Sequence, residues 1–259
     1  MQINLRNRKF EVAPASHEEF WKLVSSGAWE SDTFAIFDRF LDREHSYLDI
    51  GTWIGPTVLY GCQISKSVYG LEPDPIAHAE ILNNVALNRP LTDNVRLFNA
   101  CIARQSGEVL LGSRGEGGDS TSSLLFAKKR THWKVKAYAF EDFIHENRVT
   151  DCNFIKMDIE GGEYQIIPTM IPYLKAQRPT MHLSLHPCYL KFRPLGVVGR
   201  LLARWWGTLK ILRGLGFYKH IYDHSGAKLT AARLLWLCRA KISMDIVVTD
   251  LEWQVSRAL

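Results

Sequence analysis

The chain has 259 residues, 46% of them hydrophobic and 23% charged, with a formal net charge of +5. That composition excludes intrinsic disorder, a collagen-like repeat and a disulfide-stapled miniprotein, and the length suits one large α/β domain with a buried core. Five scattered cysteines without a Cys-x-x-Cys pair read as mostly buried thiols in a reducing cytoplasm, and no metal site is expected from their spacing.

Residues 1–45 read as an α-helical prelude, in which Phe34, Ile36, Phe37, Phe40 and Leu41 fall at helical spacing behind Ser31 or Asp32 as cap. No apolar run of a signal peptide follows the basic Arg6, Arg8 and Lys9, and no stretch reaches the roughly 20 apolar residues of a membrane span. From residue 46 to 259 the signals alternate between strand and helix. A strand at 47–50 runs into Gly51-Thr52-Trp53-Ile54-Gly55 and a helix to about 64. A second strand, 67–71, ends at Glu72-Pro73-Asp74-Pro75, where Asp74 caps and Pro75 opens a helix to about 88. A third strand spans 95–98. A β-hairpin insertion follows, with strands at 107–111 and 122–126 around a Gly- and Ser-rich loop, then a strand at 134–139 and a short helix at 140–146. The fourth core strand is 153–158, with a helix from 163 to about 173, and the fifth is 180–186. A Trp-rich basic helix (195–212), a helix at 229–239 and a β-branched strand at 246–249 complete the chain. Strands separated by helices imply a mostly parallel sheet covered on both faces.

Two sequence features suggest a nucleoside site. Asp49-x-Gly51-x-x-x-Gly55 sits where a strand turns into a helix, so backbone can approach a ligand closely. Twenty-one residues after Gly51, Glu72 ends the next strand, where a carboxylate accepts both hydroxyls of a ribose. The spacing lacks the third glycine of a dinucleotide fingerprint, and an Asp before the first glycine suits a cationic amino group better than a diphosphate.

The stretch Phe154-Ile155-Lys156-Met157-Asp158-Ile159-Glu160-Gly161-Gly162-Glu163, taken with Tyr47-Leu48-Asp49-Ile50-Gly51 and Gly70-Leu71-Glu72-Pro73, resembles the FkbM family of S-adenosylmethionine-dependent methyltransferases over residues 47–187. The resemblance implies a class I Rossmann-like fold, a seven-stranded sheet whose last strand is antiparallel. It implies that Asp49, Gly51, Thr52 and Gly55 wrap the methionine part of S-adenosyl-L-methionine. Glu72 then holds the ribose, Asn99 and Cys101 border the adenine, and Asp158 faces the methionine amino group or the acceptor. The chain departs from the family in having Trp53 where Asn is usual and Ser184 where a Glu is common.

Methyl transfer to an alcohol needs a positioned hydroxyl and a base. Thr180, His182, Ser184 and His186 share one face of the fifth strand, and His186 lies at its C-terminal edge, so His186 is the preferred base and Asp158 its rival. Lys156, in a buried strand, is expected to pair with a carboxylate such as Glu160; Lys156, Glu160 and Ser122 are the candidates for substrate contact.

Charge is unevenly distributed. Residues 165–221 contain nine Lys or Arg and no Asp or Glu, so the remainder holds 23 basic against 27 acidic residues, a balance of about −4. Within this segment (about 190–215, extending over 191–219), Leu201, Leu202, Trp205, Leu209 and Leu212 make an apolar stripe at helical period. The plain reading is a helical lid packed on the core with a solvated basic face. The sharper one is contact with an anionic partner, the inner membrane surface or a lipid-linked glycan acceptor; no recognition motif for nucleic acid accompanies it. The sequence thus predicts a cytoplasmic S-adenosylmethionine-dependent O-methyltransferase acting on a hydroxyl of a sugar (polysaccharide or glycolipid precursor) or of a secondary metabolite. A NAD(P)-dependent oxidoreductase and a non-catalytic adenosine-binding, membrane-peripheral module are the alternatives.

Overall fold

A computed structural model of the protein describes residues 1–14, 16–113, 117–118, 132–190, 196–240 and 243–253. The chain opens with a two-stranded antiparallel hairpin, β1 (Gln2–Leu5) and β2 (Arg8–Glu11), then α1 (Glu18–Ser25) and α2 (Ser31–Phe40). The prelude is therefore helical only in its second part. Ile3, Leu5 and Phe10 alternate with exposed residues, a period-two pattern too short to register beside the helical signal that follows.

The main body is a seven-stranded sheet built from β3 (Ser46–Ile50), β4 (Ser67–Leu71), β5 (Val95–Phe98), β9 (Cys152–Met157), β10 (Thr180–Leu185), β11 (His220–Asp223) and β12 (Met244–Thr249). Its spatial order is β11-β12-β10-β9-β3-β4-β5. All neighbours from β10 to β5 run parallel, while β12 is antiparallel to both β10 and β11. This is the expected class I Rossmann-like methyltransferase sheet. A smaller sheet, β6 (Ala100–Ala103), β8 (His132–Ala139) and β7 (Gly107–Gly112), holds the insertion. Its antiparallel pair is β7 with β8; the expected strand at 122–126, and Ser122 with it, lies outside the described residues.

Period-two alternation sends the central strands' side chains to two cores. Leu48, Ile50, Ile155, Met157, Leu183 and Leu185 meet α5 (Phe140–Glu146), α6 (Glu163–Gln177), α7 (Gly196–Gly214) and α8 (Ala231–Ala240). Tyr47, Val68 and Phe154 meet the N-terminal hairpin, α1, α2, α3 (Pro56–Gly61) and α4 (Pro75–Ala86). Phe34, Phe37, Tyr47, Tyr60 and Phe154 form a cluster of tilted and edge-to-face rings in this second core. The N-terminal segment is thus one wall of the domain's interior. Among the cysteines, Cys62, Cys101 and Cys152 are buried and free, as the composition suggests.

From β3 the chain steps outward to β4 and β5, returns to β9 on the other side, and steps away again. The β3/β9 boundary is the point where strand order reverses, and open α/β sheets place their ligand sites at the carboxyl ends of strands there.

Candidate active site

A cleft of about 360 Å³ opens at that boundary. Gly51, Thr52, Glu72, Cys101, Lys156, Asp158, Glu160 and His186 all line it, and so do Phe20, Trp29, Glu30, Ser184 and Asp245 from elements remote in sequence.

The glycine turn is shaped by packing as much as by a ligand. Gly51 has φ +91° and a Cβ there would lie 1.9 Å from the Asp158 carbonyl oxygen, so the ends of β3 and β9 touch backbone to backbone. Gly55 has φ +95° and stands against Ile81 of α4, where a Cβ would come within 2.6 Å; it seats α3 on α4 and is not on the cleft wall. Thr52, 2% exposed and on the wall, has a hydroxyl oxygen with no partner, a polar group left for a ligand.

Glu72 is buried at the end of β4. Its carboxylate accepts the backbone N–H of Trp53 (2.8 Å) and of Asp74 (2.8 Å), one on each oxygen. Those bonds fix the group while leaving each oxygen a further lone pair for a ribose hydroxyl. Burial pushes its carboxyl up to about 7, despite the two backbone donors. Cys101 is on the same wall, whereas Asn99 donates its amide to the carbonyls of Glu72 (2.9 Å) and Pro73 (3.2 Å) and so pins the strand end beside the cleft. Trp53 spends its indole N–H on the Gly118 carbonyl (2.8 Å) and packs edge-on against Phe20, tying the turn to α1. These residues fit an adenosine and a methionine chain: an anchored carboxylate at the strand end, an orphan hydroxyl and a glycine turn.

Asp49 corrects one expectation. It is fully buried off the cleft wall, and its Oδ2 accepts the hydroxyls of Tyr47 (2.6 Å) and Thr57 (2.6 Å). Its cation is internal: Lys156 Nζ lies 3.4 Å from Asp49 Oδ1 and donates to the Gly51 carbonyl at 3.2 Å. Lys156 therefore pairs with Asp49 rather than with Glu160. Register explains this, because Asp49 and Lys156 are direct partners across β3 and β9 and share a face. Burial opposes the Lys156 charge, but Asp49, Asp158 and Glu30 outweigh it, so its pKa is raised and it stays cationic.

At the far end of the cleft a second cluster forms around His186. Its Nδ1 donates to Glu163 Oε1 (3.0 Å), and its Nε2 stands 3.7 Å from both Asp158 Oδ1 and Glu160 Oε1. Glu163, fully buried, also accepts the Ile159 N–H at 3.0 Å, and Glu160 accepts the Tyr189 hydroxyl at 2.6 Å. Burial alone lowers the imidazole pKa, but the hydrogen bond to Glu163 and three surrounding carboxylates raise it to about 9. Burial pushes Asp158 up to about 6, with Lys156 and His186 pulling the other way. One donor atom each from Asp158, Glu160 and His186 fall within 4.8 Å of one another, a set that could hold a divalent cation. Ser184 does not face empty space: it donates to Asp245 Oδ1 at 2.7 Å, so the carboxylate missing from this position arrives from β12 instead.

Cleft residues without a sequence assignment include Glu30, Asp245, Phe20 and Trp29; Glu163 and Tyr189, also unassigned, hold the cleft residues His186 and Glu160. Glu163 stands in the signature itself, four residues after Ile159, where an acid in a helix's first turn can reach back to that backbone N–H. Glu30 caps α2 in a left-handed conformation (φ 43°) and takes the Thr33 hydroxyl at 3.0 Å. Neither Glu30 nor Asp245 carries a local signal that it reaches a cleft built by β3 and β9.

The strand order and the cleft at the carboxyl ends of β3 and β9 are those of the class I Rossmann-like fold. The sequence pattern described as Methyltransferase FkbM domain matches residues 49–211, and the chain belongs to that family. No curated protein sequence matches it. Among solved structures, methyltransferase FkbM from Methylobacillus flagellatus KT shares 15% identity with a TM-score of 0.47, covering 79% of this chain and 43% of that one. Precorrin-6y C5,15-methyltransferase from Geobacter metallireducens GS-15 shares 13% with a TM-score of 0.46, covering 98% of each chain. TYW2 from M. jannaschii, in complex with AdoMet, shares 15% with a TM-score of 0.41, covering 96% of this chain and 83% of that one. The chain thus spans less than half the length of the Methylobacillus protein. The family's cofactor is S-adenosylmethionine, which the cleft residues fit.

Proposed function

We propose that this protein methylates a hydroxyl of a sugar, such as a polysaccharide or glycolipid precursor, or of a secondary metabolite, in the cytoplasm. The observation that carries the reading is the single cleft in which the anchored Glu72 and the glycine turn at one end adjoin Asp158, Glu160 and His186 at the other. Bound S-adenosylmethionine supplies an electrophilic methyl carbon on a sulfonium centre. Glu72 and Thr52 hold the nucleoside and amino-acid ends, and Cys101 borders the adenine.

At the acceptor end, the proton of the attacking hydroxyl must leave as its oxygen bonds to carbon. An ordinary imidazole would make His186 the natural base, but its carboxylate neighbours keep it cationic at neutral pH. We therefore assign the proton to Asp158, whose raised value near 6 makes it a competent base at pH 7. His186, held by Glu163, then faces the developing negative charge on the oxygen. Glu30, Asp158, Glu160 and Asp245 give this end of the cleft an excess of carboxylates over Lys156 and His186. That balance favours a hydroxyl-rich or cationic acceptor group over an anionic one in contact with the reacting centre.

Calorimetry with S-adenosylhomocysteine tests the cofactor end. Wild-type protein is expected to bind it, and Glu72→Gln to bind about tenfold or more weakly, the scale of a lost charge-assisted hydrogen bond. Stabilisation by NAD and not by S-adenosylhomocysteine would overturn the reading. Labelled methyl transfer into candidate glycans and alcohols then tests the acceptor class.

A further inference from the structure

The basic helix α7 has two faces, and one of them is covered by nothing among the described residues. Its inner face places Thr208 and Ile211 in the interior, with Leu209 and Leu212 packed against the core. On the other side Val198, Leu202 and Trp206 follow one another at four-residue intervals, which puts them in one row. They are 62%, 50% and 58% exposed, and Trp236 of the adjoining α8 is 59% exposed. The sequence pattern places Leu202 in the buried stripe; the structure turns it outward. Scattered exposed apolar residues are ordinary, but three large ones in a row on one helix are not.

The charge around the row says what covers it. α7 carries Arg200, Arg204, Lys210 and Arg213 and no acidic residue, and no Asp or Glu occurs anywhere in residues 165–221. Arg213 lies over the Trp206 ring at 5.6 Å, so a guanidinium borders the apolar row. A helix lying in a bilayer interface has this composition: aliphatic and Trp side chains for the headgroup–acyl boundary, flanked by Arg and Lys for anionic headgroups. A protein partner with an acidic groove would also match the charge but needs no large aliphatic row; a second copy of the same cationic face would repel it. No helix of the described residues is long and apolar enough to cross a membrane.

We infer that α7 docks the protein on an anionic lipid surface through Val198, Leu202 and Trp206, with Arg200, Lys210 and Arg213 at the headgroups. The acceptor end of the cleft is close to this helix. Leu190, which follows Tyr189 and its bond to Glu160, packs against Gly207 of α7, and Tyr164 of α6 hydrogen-bonds Thr208 at 3.0 Å. Docking on α7 thus acts beside the Tyr189–Leu190 segment that holds Glu160 at the acceptor end.

Sedimentation of the full-length protein with vesicles tests this. Binding is expected to vesicles of equal parts phosphatidylcholine and phosphatidylglycerol, not to phosphatidylcholine alone, with release at about 0.5 M salt as screening shortens the reach of the charges. The double variant Leu202→Ser, Trp206→Ala changes only exposed side chains, so it should retain S-adenosylhomocysteine binding while its partitioning onto anionic vesicles falls on the order of tenfold. Tryptophan fluorescence of the wild type should shift to the blue and be quenched by brominated lipid. Equal binding by the variant, equal binding to both vesicle types, no binding to either, or dimerisation through this face without lipid would each overturn the inference. Loss of cofactor binding in the wild type would instead count against the methyltransferase reading alone.

Discussion

His186 draws its properties from neighbours on two segments: Glu163 on α6, and Asp158 and Glu160 just after β9. Because its folded value near 9 exceeds the unfolded value near 6.5, its stabilisation is complete below about pH 6.5 and disappears as pH rises through 9. Each tenfold gain in proton affinity on folding is worth about 1.4 kcal/mol, so His186→Ala should cost up to about 3 kcal/mol more in urea unfolding at pH 6 than at pH 10. An equal cost at both values would show that Glu163 does not hold the cation. The same residue is the assay of the proton assignment: with Asp158 as base, kcat/KM rises through about pH 6, whereas with His186 as base it rises only toward about 9. Identity at these positions is readable in sequence, but protonation is not, since it depends on which charges fold to within a few ångströms.

At the scale of elements, chain-local signals locate most of the machinery. Asp74 accepts the N–H of Ile76 and Ala77 with Pro75 in the first turn, as its position before Pro75 indicates, and α4 begins there. The turn after β3 is legible as a turn, but its glycines serve different ends: Gly51 lets β3 meet the Asp158 backbone, and Gly55 lets α3 meet α4. Gly51→Ala should cost about 3 kcal/mol or more, since the new methyl meets main chain that cannot rotate away and the positive φ is itself unfavourable. Thermal unfolding measures it; wild-type stability would mean that the β3 and β9 ends separate freely. Asp49 illustrates the limit of local reading. Its motif position suggests a ligand's amino group, and strand register gives it Lys156 instead.

Across the whole molecule, the N-terminal 45 residues are structural partners of the methyltransferase sheet. They lend Trp21, Phe34 and Phe37 to the core beside Tyr47 and Phe154, and Phe20, Trp29 and Glu30 to the cleft. Removing residues 1–45 should expose that aromatic core and yield insoluble or unfolded protein, checked by circular dichroism and gel filtration. A soluble, folded truncation that still binds S-adenosylhomocysteine would show the wall is dispensable. The net charge of +5 likewise resolves in space: carboxylates gather at the acceptor end of the cleft, and cations gather on and around α7. Periodicity, caps and the Lys-x-Asp-x-Glu-Gly-x-Glu motif determined by themselves most of the element order, the family and the strand ends that carry the site, because those signals act between residues close in sequence. Which carboxylate pairs with Lys156, which group is protonated, and which side of α7 faces outward were decided only by the tertiary structure, because register, burial and field strength arise between residues that only folding brings together.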